Sequence, residues 1–240
     1  MYSLCSSALA FSLLILVPSP LLAQTPKPEE LKSSVAALDA MHELITPMWH
    51  VAWPAKDVKA LAAMVPDLEK HLAAIRKATL PGILQDKQAA WDEAVSALAA
   101  TGDAYKKAAQ VPDSVALLAA AEKLHMLYEK LVGLIRPALP EVDAFHQTLY
   151  VVYHYQLDPF SMSKIAAAAT EMATKMDALN KAVLPERMKA KGPTFDAARS
   201  ALGMAVTGLQ REVATGDEKR VRVAVEDVHA KYELLEAVFK

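Results

Sequence analysis

Three pairs of histidines carry most of the chemistry this sequence offers. His42 and His146, His50 and His154, and His125 and His229 are each 104 positions apart, while His71 has Lys175 at its equivalent position. Imidazole is a ligand for borderline divalent ions and titrates near neutral pH. Four of the six are preceded, three residues earlier, by a carboxylate: Asp39 before His42, Asp143 before His146, Glu122 before His125 and Glu226 before His229. On a helix that spacing puts both groups on nearby faces. Two imidazoles with one or two carboxylates, acting as ligands or as acceptors for the other ring N–H, suit Zn²⁺, Cu²⁺, Ni²⁺ or Fe²⁺. The competing reading is a histidine at the edge of an apolar stripe, paired with its carboxylate, that joins helices and binds no ion.

The offset that superposes the histidines also superposes Leu80-Pro81 with Leu184-Pro185, Asp92 with Asp196, Asp113 with Asp217, Tyr128-Glu129 with Tyr232-Glu233, and aromatic Trp49 and Trp91 with Tyr153 and Phe195. Tandem duplication accounts for this, so the reading is a first repeat over 24–139 and a second over 140–240. Each repeat reads as four helices. In the first, Leu31, Val35, Leu38, Met41, Ile45 and Trp49 recur at helical spacing, predicting a helix from Glu29 to about Val51. Asp57 is placed to cap a second helix running to Thr79, with Ser161 at the matching cap of the second repeat. Leu80-Pro81 stops it. A third is expected from about Gln85 to Gln110 with a weak point at Gly102, and Pro112-Asp113 opens a fourth. Pro47 and Pro66 predict kinks confined to the first repeat. Short links make neighbours antiparallel, so the expected fold is all-α: two tandem up-down-up-down four-helix bundles.

In such a bundle helices one and four lie side by side. His42 then comes level with His125, and His146 with His229, with Asp39, Glu122, Asp143 and Glu226 beside them. His50 and His154 lie about 12 Å further along a straight helix. They read as helix C-terminal caps, as a second metal site, or as part of a distorted shared site.

Composition narrows the function classes. A net charge of −2 gives no concentrated basic surface for nucleic acid. Seven glycines and an alanine-dominated apolar fraction favour helices. Residues 1–23 carry no charged side chain and hold an apolar run from Leu9 to Val17, closed by Pro18 and Pro20. This is the order of a secretory signal peptide, so export, to a periplasm, is expected, with no membrane-spanning segment in the mature chain. The single cysteine, Cys5, would leave with that segment. The remainder could then form no disulfide, cysteine-ligated metal site or covalent haem attachment. No glycine-rich phosphate loop or nucleophile context marks an enzyme.

With helices one and four supplying the candidate ligands, the layout resembles the periplasmic four-helix-bundle cytochromes, the c-prime type and the soluble b-type. The resemblance implies a haem between helices one and four. Met41 and His125 match the b-type ligand pattern. The second repeat departs from it with Phe145, leaving His146 with His229, and the Cys-x-x-Cys-His attachment motif is absent. The Glu-x-x-His motifs also resemble those of di-iron carboxylate bundles, which carry two such motifs per bundle where each repeat here has one. The expectation is therefore a non-enzymatic exported protein that binds one divalent transition metal per repeat, for buffering, trafficking or sensing. The alternatives are non-covalent b-type haem for electron transfer or sensing, and a structural or adaptor bundle without a cofactor.

Overall fold

A computed structural model describes residues 25–111, 114–136 and 139–239. The expected export segment and Pro112-Asp113 lie outside these. The described chain is helical, with no strand; Leu157 and Phe160 form an isolated bridge. Among the described residues nine α-helices run in order: α1 Ala36–Pro47, α2 Val58–Ala63, α3 Val65–Lys77, α4 Gln88–Ala109, α5 Ser114–Ile135, α6 Pro140–Val151, α7 Met162–Leu179, α8 Gly192–Thr215 and α9 Glu218–Ala237. No described helix is long and apolar enough to cross a membrane.

Local chemistry explains most boundaries. The chain before α1 forms a short 3₁₀ turn at Pro28–Leu31 and then extends, so the helix expected from Glu29 begins at Ala36. Pro66, which cannot donate to the preceding turn, divides the expected second helix into α2 and α3 at Met64. The second half has Thr170 there, and α7 runs unbroken. Asp57 Oδ1 accepts the Ala60 N–H at 2.9 Å, and Asp217 Oδ1 accepts that of Arg220 at 3.2 Å, as N-caps do. Ser161 occupies the N-cap of α7 without a capping bond from its side chain. Gly102 does not weaken α4. It is buried, and a Cβ there would come within 2.2 Å of Leu72 Cδ1, so the glycine lets α3 approach α4.

The offset of 104 residues reappears in the backbone. The 3₁₀ turn Gly82–Lys87 precedes α4 as Glu186–Lys191 precedes α8, and the starts of α1, α4 and α5 match those of α6, α8 and α9. Both α1 and α6 pass into a single π-helical turn, Met48–Ala52 and Val152–Gln156. Position 47 is proline but position 151 is valine, so proline is not the cause of this turn and the irregularity is not confined to the first half.

In the first half α3 packs on α1 and α4, and α4 on α5; in the second α7 packs on α6 and α8, and α8 on α9; α1 also meets α5 as α6 meets α9. Buried apolar residues fall into two clusters. One runs from Val35 to Ile135 around Trp91, Tyr105 and Tyr128; the other runs from Leu139 to Val238 around Phe145, Met172 and Leu202. Tyr105 is fully buried and donates its hydroxyl to the Leu61 carbonyl at 2.7 Å. The halves meet through side chains. Lys87 Nζ lies 3.0 Å from Glu236 Oε1 in a largely buried pair, Tyr155 donates to Glu30, and Ser33 donates to Asp143. Tyr150 lies over Gly82, where a Cβ would meet its hydroxyl at 2.2 Å.

Candidate functional site

Each π-turn carries one histidine, His50 or His154, next to an aromatic residue, Trp49 or Tyr153. A π-turn inserts one extra residue into the helical repeat and rotates the residues after it, and such turns recur at functional positions. In the first half it brings Trp49 face to face with His125 of α5, with ring centroids 4.1 Å apart and planes 8° from parallel. Tyr153 covers His229 of α9 at 4.3 Å and 19°. A second layer repeats as well: His42 lies 6.1 Å from Tyr128, and His146 lies 4.5 Å from Tyr232, both near parallel.

Position 53 and its equivalent, 157, are also tied to the last helix in each half, by different groups. Trp53 Nε1 donates to the Leu118 carbonyl at 3.1 Å, whereas the Leu157 carbonyl accepts from Arg222 Nη1 at 2.9 Å. The two π-turns are therefore each anchored to the helix that carries His125 or His229.

Electrostatic coupling links imidazoles of different helical segments. Burial pushes the His125 pKa down; Glu129 opposes this and the like charge of His50 reinforces it. His154 is likewise lowered by burial and then by His229. His146 falls to about 4, chiefly through burial. Glu236 opposes the fall, while Lys87, His229 and His154 add to it. His125 thus feels the charge of His50, on the π-turn, and His154 and His146 feel that of His229.

The carboxylates divide differently from the i−3 expectation. Asp39 accepts from Arg136 at 2.8 Å. Asp143 accepts from Ser33 and, at 3.0 Å, from Gln147. Glu226 accepts the Tyr153 hydroxyl at 3.2 Å, and Glu122 is exposed. The carboxylates that approach the imidazoles lie one turn after them: Glu129 is 3.9 Å from His125 Nε2, and Glu233 is 3.9 Å from His229 Nδ1. That repetition was visible in the sequence as Tyr128-Glu129 and Tyr232-Glu233. The stacking partners were visible as aromatic residues at 49 and 153. What the sequence lacked was the direction in which each ring turns. Among the described residues, no three histidine, aspartate or glutamate side chains are arranged to hold a metal ion.

No protein-family model, no curated protein and no solved structure matches this chain.

Proposed function

We propose that this is an exported, non-enzymatic helical protein made of two tandem copies of one up-down-up-down four-helix bundle, and that each copy binds one divalent transition metal ion. The ligands are His50 with His125 in the first copy and His154 with His229 in the second. Glu129 and Glu233 stand close enough to complete the set through a side-chain rotation or a bridging water. The observation that carries this reading is the recurrence, at one fixed offset, of a π-turn, a histidine on it, an aromatic ring stacked on the facing histidine, and a glutamate one turn on.

The chemistry is consistent. A metal-ligating imidazole must be unprotonated, and burial of His125 and His154 disfavours the competing proton. Stacking on Trp49 and Tyr153 holds the planes of His125 and His229 and lowers the ordering cost of binding. The sites favour nitrogen ligands, which suits Zn²⁺, Cu²⁺ or Ni²⁺ over oxygen-seeking Mg²⁺ or Ca²⁺. A buffering, trafficking or sensing role fits two small sites and no reactive nucleophile. For His42 and His146 the stacking on Tyr128 and Tyr232 favours a packing role, with Asp39 and Asp143 bonded elsewhere.

Elemental analysis of untagged protein, followed by equilibrium titration, tests the reading. Wild type should bind about two ions, each single variant His125→Ala and His229→Ala about one, and the double variant none. A wild-type stoichiometry near zero for zinc, copper, nickel and iron would overturn it. A Soret band after haem addition would favour the haem reading instead.

A further inference from the structure

A cleft of about 1160 Å³ opens where the two halves of the chain meet. Ligand sites concentrate at such junctions, with volumes of about 300–1,000 Å³ and apolar walls carrying a few polar groups. Leu84 and Val132 line the cleft from the first half, and Val142, Met188 and Phe239 from the second. Two polar rings, His146 and Tyr232, also line it. They are stacked on each other, and His146 has no hydrogen-bond or ion-pair partner among the described residues. Burial keeps this imidazole neutral at pH 7, so it can donate or accept one hydrogen bond.

The charges at the rim are mostly satisfied within the protein. Lys87 pairs with Glu236 at 3.0 Å, Arg136 with Asp39 at 2.8 Å, and Lys191 donates to the Val238 carbonyl at 2.7 Å. Asp143 accepts from Ser33 and Gln147, Glu129 faces His125, and Asp86 also has a partner. Arg187, on the 3₁₀ turn before α8, lines the same cleft, and no carboxylate or carbonyl among the described residues accepts from it. A planar fork of donors beside an apolar hollow is matched by a carboxylate or sulfonate on an apolar body.

We infer that the cleft between the halves binds a small organic anion, with its acidic group on Arg187 and its apolar body against Phe239, Met188 and Leu84. This site requires no metal, although Glu129, beside His125, stands at its rim.

The test uses full-length protein in EDTA with two fluorescent probes of nearly the same shape, anionic anilinonaphthalenesulfonate and uncharged phenylnaphthylamine. Gly133 borders the cleft, and a Cβ built there meets nothing within 4 Å, so Gly133→Phe adds a ring at the cleft's edge without a clash at its root. The sulfonate should bind at one saturable site per chain. Gly133→Phe should weaken both probes by about tenfold or more. Arg187→Ala should weaken the sulfonate by about fivefold to tenfold and leave the uncharged probe unchanged, since only the charge-assisted bond is lost. Met188→Trp fills the same cleft from the other half and replaces Gly133→Phe if that variant melts early. Absence of saturable sulfonate binding, or equal binding by the filled and wild-type clefts, would overturn the site. An equal response of both probes to Arg187→Ala would overturn the anion assignment. Because EDTA is present throughout, failure here leaves the metal reading untouched, and the reverse holds as well.

Discussion

Trp49 and His125 stack almost parallel, 4.1 Å between centroids, and the two positions 104 residues later, Tyr153 and His229, stack at 4.3 Å. An indole and a phenol thus do one job in the two halves. Each fixes the plane of an imidazole on the last helix of its half, and each does so from a π-turn that the flanking sequence does not share.

The stack should be measurable in its own right. Trp49→Ala removes a half-buried ring that also packs on Trp53 at 4.4 Å. The expected loss is about 2–3 kcal/mol by denaturant unfolding, from lost burial plus the aromatic contact. Under the metal reading Trp49→Phe restores both stability and ion affinity. Restored stability with lost affinity would show that the indole itself, and not ring stacking, supports binding.

The histidines of the first half should separate by position. His50→Ala is expected to abolish one ion of two, whereas His42→Ala leaves the stoichiometry unchanged, because the metal reading pairs His50 with His125. Isothermal titration of the two variants checks this. The opposite order would return the site to the straight-helix alignment of His42 with His125.

His146 predicts acid sensitivity. Its pKa falls from an ordinary 6.5 to about 4 in the folded chain, first through burial. The unfolded chain therefore binds the extra proton more readily between those values. The stability this group contributes is fully present above about pH 6.5 and is lost as pH falls toward 4. At about 1.4 kcal/mol per pH unit, the loss reaches at most about 3–4 kcal/mol. In metal-free protein, His146→Gln should flatten this segment of the stability profile. An unchanged slope would assign it to other groups.

The caps give a paired test at positions 104 residues apart. Asp57 accepts the Ala60 N–H, whereas the Ser161 side chain makes no capping bond. Asp57→Ala should cost about 1 kcal/mol and Ser161→Ala only a few tenths. Equal costs in thermal unfolding would mean that the serine caps in solution.

Tyr105→Phe probes the core. The hydroxyl is buried and donates to the Leu61 carbonyl close to the end of α2, just before the chain breaks at Met64. Its removal should cost about 1–2 kcal/mol, because the carbonyl loses a partner where water cannot replace it. A neutral change would show that α2 relaxes toward solvent.

Helix content, most helix ends and the offset of 104 residues were legible from residue types alone. Periodic leucines and alanines, proline stops and the repeated rare histidines are local signals, and helices are local structures. Asp57 could be named as a cap and Pro66 as a break because each acts on its own turn of backbone. The π-turns could not be read, since Pro47 suggested a cause that Val151 shows to be irrelevant. Whether α1 takes one extra residue per turn depends on what Trp49 and Trp53 gain against α5, a contact between positions far apart in sequence. That choice set Trp49 on His125 and Tyr153 on His229, while within α5 and α9 the i+4 glutamates lie beside the imidazoles. The cleft was illegible for the same reason. Arg187, His146 and Phe239 come together with Leu84 only when the two halves are docked, and the Lys87–Glu236 pair and the fit of Tyr150 over Gly82 that dock them exist in tertiary structure alone.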